Sequence, residues 1–187
     1  MTSKLSILGF AGSLRQGSYN RAILRVAQEM LPAGAKMEIF DLAGIPLFNQ
    51  DLEMEPTEKV REFKAAIRAA DALLIATPEY NYSMSGILKN ALDSASRPHG
   101  DNALDGKPVA IMGASIGQLG TARAQYHLRQ SCVTLNMYPL NRPEVMVSSA
   151  HKKIDDQGRL TDEPTREIIA KLVEALIVWA RTFRAKG

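Results

Sequence analysis

Apolar and polar positions follow two periods along this chain, and the switches between them mark its elements. Lys4 to Ala11 is a short apolar run that predicts a first strand. Arg21 to Leu31 carries Ala22, Ile23, Val26, Ala27 and Met30 at helical spacing, with Asn20 just before it as a cap-capable side chain. Lys36 to Asp41 alternates and predicts a second strand. Thr57 to Ala70 is an amphipathic helix with Thr57 as its expected cap. Ala72 to Thr77 predicts a buried third strand, followed by a helix from Ser85 to Ala95. Pro108 to Gly113 predicts a fourth strand and Gly120 to Cys132 a helix. A last strand lies within Met137 to Val147, where Pro139 and Pro143 blur its limits. A terminal helix runs from Pro164 to Phe183, with Ile168, Leu172, Ala175, Leu176, Val178 and Trp179 expected on its inner side.

Strands interleaved with helices on short connections imply an α/β fold, its parallel sheet covered on both faces. Right-handed crossovers favour a doubly wound, five-stranded sheet in the order 2-1-3-4-5, the flavodoxin-like arrangement. Turn signals stand at Asp105-Gly106 and at Asp156-Gln157-Gly158-Arg159, and no repeat or linker interrupts residues 1–187, so a single domain is expected. The stretch from Leu42 to Pro56 has no periodicity, and irregular loops of that length are usually functional.

The chain has 187 residues, 45% hydrophobic and 23% charged, enough for one domain with a substantial core. Its one cysteine, Cys132, excludes an intrachain disulfide and fits a reducing cytoplasm, and it reads as a buried, inert thiol. Met1 to Lys4 leads into a strand-length run rather than a signal-peptide core, and no apolar stretch approaches a membrane span. The net charge of +3 is too mild and scattered to argue for nucleic acid. The basic cluster from Arg181 to Lys186 reads as a solvated helix end.

Two loops carry the candidate chemistry. Gly12 to Asn20 joins the first strand to the first helix, where turned backbone amides and a helix N-terminus suit an anion. Ser13 and Ser18 offer hydroxyl donors and Arg15 a fork of donors. Gly12 and Gly17 have P-loop spacing, but Ser18-Tyr19 stands where lysine and a hydroxyl residue belong, so an ATPase is rejected. The cradle holds no cysteine nucleophile, and Gly9 and Gly12 do not give the dinucleotide fingerprint. A site for a terminal monophosphate remains, beside the plainer reading of a glycine-serine turn. The loop's place after the first strand favours phosphate. The second loop, Pro78-Glu79-Tyr80-Asn81-Tyr82, lies at the carboxyl end of the third strand, where open α/β sheets bind ligands. Its flat faces and amides suit a planar heteroaromatic ring, and together the two loops point to flavin mononucleotide (FMN).

Gly113-Ala114-Ser115-Ile116-Gly117 competes with this reading, because it matches the nucleophile elbow of serine hydrolases. His127 and His151 follow Ser115, and Glu144 precedes His151, so chain order permits a triad. No histidine-glycine-rich oxyanion loop accompanies it, and the chain is short for that fold. His99, His127 and His151 have no metal-ligand spacing with one another or with Cys132.

With these loops in view, the chain resembles the NADPH-dependent FMN reductase family, in the subgroup of bacterial quinone and chromate reductases. The resemblance rests on Gly12-Ser13-Leu14-Arg15, on Pro78-Glu79-Tyr80-Asn81 with Gly86, Leu88, Lys89, Asn90 and Asp93, and on Gly113-Ala114-Ser115. It implies a flavodoxin-like fold, bound FMN, NADPH or NADH as co-substrate, and a homodimer or homotetramer. By its motifs, Ser13, Arg15, Ser18 and Asn20 hold the phosphate, with Tyr19 beside them. Pro78, Glu79, Tyr80 and Asn81 line the ring and its sugar-like chain, and Ser115 and Gly117 meet the ring from the other side.

That resemblance implies hydride transfer from nicotinamide to FMN. A quinone, nitro or azo compound, free flavin or chromate-like oxyanion then takes the electrons, in ping-pong order. No side chain is needed as a catalytic acid or base. A flavodoxin-type electron carrier and a serine hydrolase using Ser115 stand as alternatives. The expected partner is a small-molecule electron acceptor, and the Leu42 to Pro56 loop is expected to wall the substrate pocket, over the flavin of a partner subunit.

Overall fold

A computed structural model describes residues 4–184; Met1–Ser3 and the end of the basic cluster, Ala185–Gly187, lie outside the described residues. The strands are β1 (Leu5–Ala11), β2 (Ala35–Phe40), β3 (Ala72–Ala76), β4 (Glu79–Tyr80), β5 (Ser83–Met84), β6 (Pro108–Ala114), β7 (Tyr138–Pro139) and β8 (Val145–Val147). The helices are α1 (Tyr19–Glu29), α2 (Glu58–Ala69), α3 (Gly86–Ala95), α4 (Ala122–Thr134) and α5 (Glu163–Arg184). Short 3-10 turns stand at Gln50–Leu52 and Ala150–Lys152.

The main sheet runs β2-β1-β3-β6-β7, with β8 pairing β6 further along, and every pair is parallel. This is the expected doubly wound order. The expected fifth strand is split: β7 pairs Pro108 and Val109, and β8 pairs Met112 to Ala114. Pro139 and Pro143 lack the N–H that a continuous ladder needs, so the strand breaks between them.

Successive strand side chains point to opposite faces and feed two cores. Leu5, Ile7, Leu74, Ala110 and Met112 pack with α1 and α5. Leu8, Phe10, Leu73, Ile75, Val109 and Ile111 pack with α2, α3 and α4. The inner face of α5 is rotated from the expected one. Ile169, Leu172, Val173, Leu176, Ile177 and Ala180 are buried, whereas Val178 is 62% exposed. Trp179 lies at the margin instead, where its indole N–H donates to Tyr138 O at 2.9 Å and its ring meets Phe183 edge-on. No helix among the described residues is long and apolar enough to cross a membrane.

The helix starts show which side chains hold the loops. Ser18, not Asn20, is the N-cap of α1, its Oγ accepting from Arg21 N at 3.3 Å. Asn20 already lies in the first turn, because the helix begins at Tyr19, two residues before the expected start at Arg21. Thr57 occupies the N-cap position of α2 but makes no side-chain cap bond. Ser85 caps α3, accepting from Leu88 N at 3.2 Å and donating to Gly12 O at 2.6 Å. That second bond ties α3 to the loop after β1. A Cβ on Gly12 would come within 2.9 Å of Leu88 Cβ and Ser85 Oγ, so this close approach requires glycine.

Candidate functional site

The loops after β1, β3 and β6 meet over the carboxyl edge of the sheet and enclose a cleft of about 500 Å³. Ser13, Arg15, Ser18, Tyr19 and Asn20 line it from the first loop, Pro78, Glu79 and Tyr80 from the second, and Ser115 from the third. Ala114 and Ile116, which are not among the expected site residues, complete the wall. Asn81 and Gly117 are not part of it.

The first loop gathers donors that lack acceptors among the described residues. Ser18 N donates to Arg15 O at 3.1 Å, closing a turn that presents the loop at the mouth of α1. The Ser13 hydroxyl has no partner among the described residues, though Ser13 is buried. Arg15 is exposed, stacked at 5.0 Å over the Tyr19 ring, and forms no ion pair among the described residues. The Tyr19 and Asn20 N–H groups, in the first turn of α1, have no acceptor there either. Donors without acceptors at a helix N-terminus fit a phosphate. The Asn20 side chain is differently engaged. Its Nδ2 donates to Ala114 O at 3.0 Å and its Oδ1 accepts from Ala114 N at 2.9 Å, so the amide is bound at both ends to that backbone.

The second loop is a β-hairpin rather than an irregular segment. β4 and β5 pair antiparallel through Asn81 and Tyr82, with φ of 48° and 73°. Two positive φ values give the mirror-image turn that matches strand twist. Asn81 is exposed at the hairpin tip. The hairpin is pinned to α4. Glu79, its side chain only 8% exposed, accepts from Arg123 Nε at 2.5 Å, Arg123 N at 3.1 Å and Ala124 N at 3.3 Å. The same guanidinium lies 4.1 Å from the Tyr82 ring centroid. His127 Nδ1 and Ser83 Oγ are hydrogen-bonded at 2.9 Å. The Arg123 guanidinium is held above its ordinary pKa, chiefly by its hydrogen bond to Glu79. Glu79 therefore lends the cleft its backbone, while its carboxylate faces away to α4.

The third loop is shaped by glycine. A Cβ on Gly113 would fall 1.8 Å from Thr121 Oγ1 and 2.5 Å from Thr77 O. Ser115 Oγ accepts from Gly117 N at 3.0 Å, which closes a local turn. Hence Gly113 and Gly117 have packing and turn roles, and the chain does not pass from Ser115 directly into a helix as an elbow does, since α4 begins at Ala122. No histidine among the described residues is hydrogen-bonded to Ser115. Cys132 is fully buried, and loss of water pushes its thiol up to about 11.

The Leu42–Pro56 loop lies elsewhere. Asn90 holds it, accepting from Phe48 N and donating to Pro46 O, both at 2.8 Å, and Glu53 pairs with Arg97 at 2.8 Å. Leu47, Phe48 and Leu52 line a separate apolar pocket with Val60 and Ser94. None of its residues borders the cleft of the same chain.

A family model described as NADPH-dependent FMN reductase matches residues 5–152. The chain belongs to this family. It is 54% identical to an NAD(P)H-dependent FMN reductase of Pseudomonas aeruginosa, over 98% of this chain and 100% of that one. It is 41% identical to a 2-hydroxy-1,4-benzoquinone reductase of a Burkholderia species, over 96% and 98% of the two chains. Among solved structures, the flavoenzyme NAD(P)H:(acceptor) oxidoreductase FerB of Paracoccus denitrificans superposes with a TM-score of 0.87 at 32% identity, covering 96% of this chain and 98% of that one. The protein is thus an oxidoreductase of the FMN reductase family, with FMN as cofactor and NAD(P)H as reductant.

Proposed function

We propose that this protein is an FMN-dependent NAD(P)H:quinone oxidoreductase that works by a ping-pong sequence. The observation that carries the reading is the cleft where the three loops meet around donors without acceptors, Ser13 Oγ, the Arg15 guanidinium and the first amides of α1. Bound FMN supplies the redox chemistry, taking a hydride from NAD(P)H and yielding two electrons to the acceptor. The net reaction is NAD(P)H plus quinone plus a proton giving NAD(P)⁺ plus hydroquinone.

The chain's part is binding, orientation and shielding. Ser13, Arg15, Ser18 and the amides of Tyr19 and Asn20 hold the phosphate end. Pro78, the Glu79 backbone and Tyr80 form one wall for the ring, and Ser115 and Ile116 the other. Tyr80 and Ile116 are both exposed, so the mouth offers flat and apolar surface to a nicotinamide or a quinone in turn. Nitro and azo compounds, free flavin and chromate-like oxyanions are further acceptors within the same chemistry. The reading includes a cytoplasmic location, supported by the lone, buried Cys132, and a homodimer or homotetramer. In such an assembly the exposed Leu47, Leu52 and Met54 would come from one subunit to wall the flavin cleft of its partner. A Phe48→Ala change that left acceptor turnover and Michaelis constants intact would remove that role for the loop.

The deciding experiment is a visible spectrum after FMN loading and desalting, repeated anaerobically with NADPH and then with benzoquinone. Retained flavin that bleaches with NADPH and recovers its colour with quinone is the expected result. Retained flavin that NADPH does not bleach would instead favour an electron carrier.

A further inference from the structure

We infer that Asn20 is a positioning residue for the flavin, acting through the backbone of Ala114 rather than through the phosphate. The inference rests on the FMN reading above. The last rung between β3 and β6 is Thr77 N donating to Met112 O at 2.9 Å. Beyond it β3 turns away at Pro78, which has no N–H to give. On its other flank, the end of β6 is still held, with Ser115 N donating to Val147 O and Ala150 N to Ser115 O, both at 3.0 Å. Ala114 therefore turns its own N–H and C=O to the side that β3 has left. Both would be buried and unpaired there, a costly state for peptide groups.

The Asn20 carboxamide, only 3% exposed, stands in that gap and answers both groups at 3.0 and 2.9 Å. A primary amide carries the same donor and acceptor as a peptide, so one side chain replaces a missing strand residue. Its backbone sits in the phosphate cradle, and its partner is the residue before Ser115. The cradle and the ring-side loop are thereby fixed to each other at a set distance before any ligand arrives.

This gives Asn20 a signature that a phosphate contact does not have. In Asn20→Ala both bonds to Ala114 are lost. In Asn20→Asp, an ionised carboxylate still accepts from Ala114 N–H but opposes Ala114 O. A protonated one donates to that oxygen and restores the pair. The test measures FMN and riboflavin binding to the apoprotein of wild type and both variants, with hydrogen exchange at the Ala114 amide. Asn20→Ala is expected to weaken FMN and riboflavin alike, by about tenfold for a lost buried hydrogen-bond pair. The Ala114 amide, slow to exchange in wild type, is expected to exchange faster in Asn20→Ala. Asn20→Asp is expected to regain riboflavin affinity relative to wild type as the pH falls from 7.5 to 5.5. That variant keeps the test decisive if Asn20→Ala does not fold. A loss confined to FMN, with riboflavin unaffected, would assign Asn20 to the phosphate and overturn the inference. So would an Ala114 amide that exchanges equally in wild type and variant. Absence of all flavin binding in wild type would overturn the cofactor reading, and the positioning role with it, whereas the exchange result alone reports whether Asn20 clamps Ala114.

Discussion

Glu79 caps α4 from across the hairpin, its Oε2 accepting from Arg123 N at 3.1 Å and from Ala124 N at 3.3 Å. The residue at the N-cap position itself, Thr121, has φ of 73° and makes no side-chain cap bond. The carboxylate thus satisfies amides in the first turn of α4, that of Arg123 being 44 residues later in the chain. Glu79→Ala is expected to strand those amides near the protein interior and destabilise the fold by about 1–3 kcal/mol. Glu79→Gln keeps an acceptor for them and is expected to lose less. Urea unfolding of the two variants, compared at one pH, measures the difference. Equal losses would mean that the charge, and not the cap, is what matters.

Two glycines carry opposite predictions. Gly113→Ala places a methyl 1.8 Å from Thr121 Oγ1 and 2.5 Å from the Thr77 carbonyl oxygen, and a backbone atom cannot swing aside. Overpacking of this kind costs typically about 1–3 kcal/mol. The same change should displace the loop that carries Ser115 and so weaken FMN retention. Gly86, at the first position of α3, has nothing within 4 Å of its added Cβ and an ordinary φ. Gly86→Ala is expected to stabilise by about 0.4–1 kcal/mol, through the smaller freedom of its unfolded chain. Thermal unfolding midpoints should therefore move in opposite directions.

The features legible in the sequence are those set by local periodicity. The strand and helix order, the Ser85 start of α3 and the cleft-lining loops all follow from apolar spacing and glycine placement. What was missed depends on partners far along the chain. Asn20 has the composition of a cap, and nothing nearby reveals that its amide pairs with Ala114, 94 residues away. Glu79 reads only as a lining residue of the ring, and no local pattern reveals its ion pair with Arg123. The 79–84 hairpin was hidden because Asn-Tyr fills a turn that usually advertises itself with glycine. Tyr82 is held in that left-handed conformation with Arg123 over its ring, a contact no local pattern predicts. The rotated face of α5 has a simpler cause. Apolar residues occur nearly all round its middle turns, so Val178 could not be told from Ile177 by type.

Arg15 offers the sharpest test of the phosphate cradle. Its guanidinium rests on the Tyr19 ring and has no carboxylate partner among the described residues, so removing it breaks no ion pair of the fold. Hydrogen bonds to a charged group are worth about 1.5–3 kcal/mol, so Arg15→Ala is expected to weaken FMN by about tenfold to a hundredfold. Riboflavin, which lacks the phosphate, should bind the variant and wild type equally. The FMN loss should also shrink as salt is raised. Fluorescence titration of the apoprotein with both flavins gives the answer, and an equal loss for riboflavin would place Arg15 against the ring instead.

The acid limb of stability should carry the mark of Asp101. Its carboxylate takes a hydrogen bond from Lys64 Nζ at 2.6 Å and also pairs with Arg68, which ties α2 to the loop after α3. The Lys64 hydrogen bond, more than any other cause, holds the Asp101 pKa below its ordinary 3.8. Asp155 is lowered by the Arg159 backbone and side chain, and Asp162 by the Thr165 hydroxyl. For a group whose pKa falls on folding, the unfolded chain binds the proton more readily. The stabilisation is therefore present above the unfolded value and disappears as pH falls through the folded one. Unfolding free energy should accordingly be flat near neutrality and decline below about pH 4. Asp101→Asn removes that group's share and leaves the nearly buried Lys64 ammonium with neutral acceptors in place of a carboxylate, among them the Arg97 carbonyl oxygen. The variant is expected to be less stable than wild type at pH 7, with the gap closing toward pH 2. Urea midpoints measured across that range check both the sign and the window, and a gap that stayed constant with pH would remove Asp101 from the acid transition.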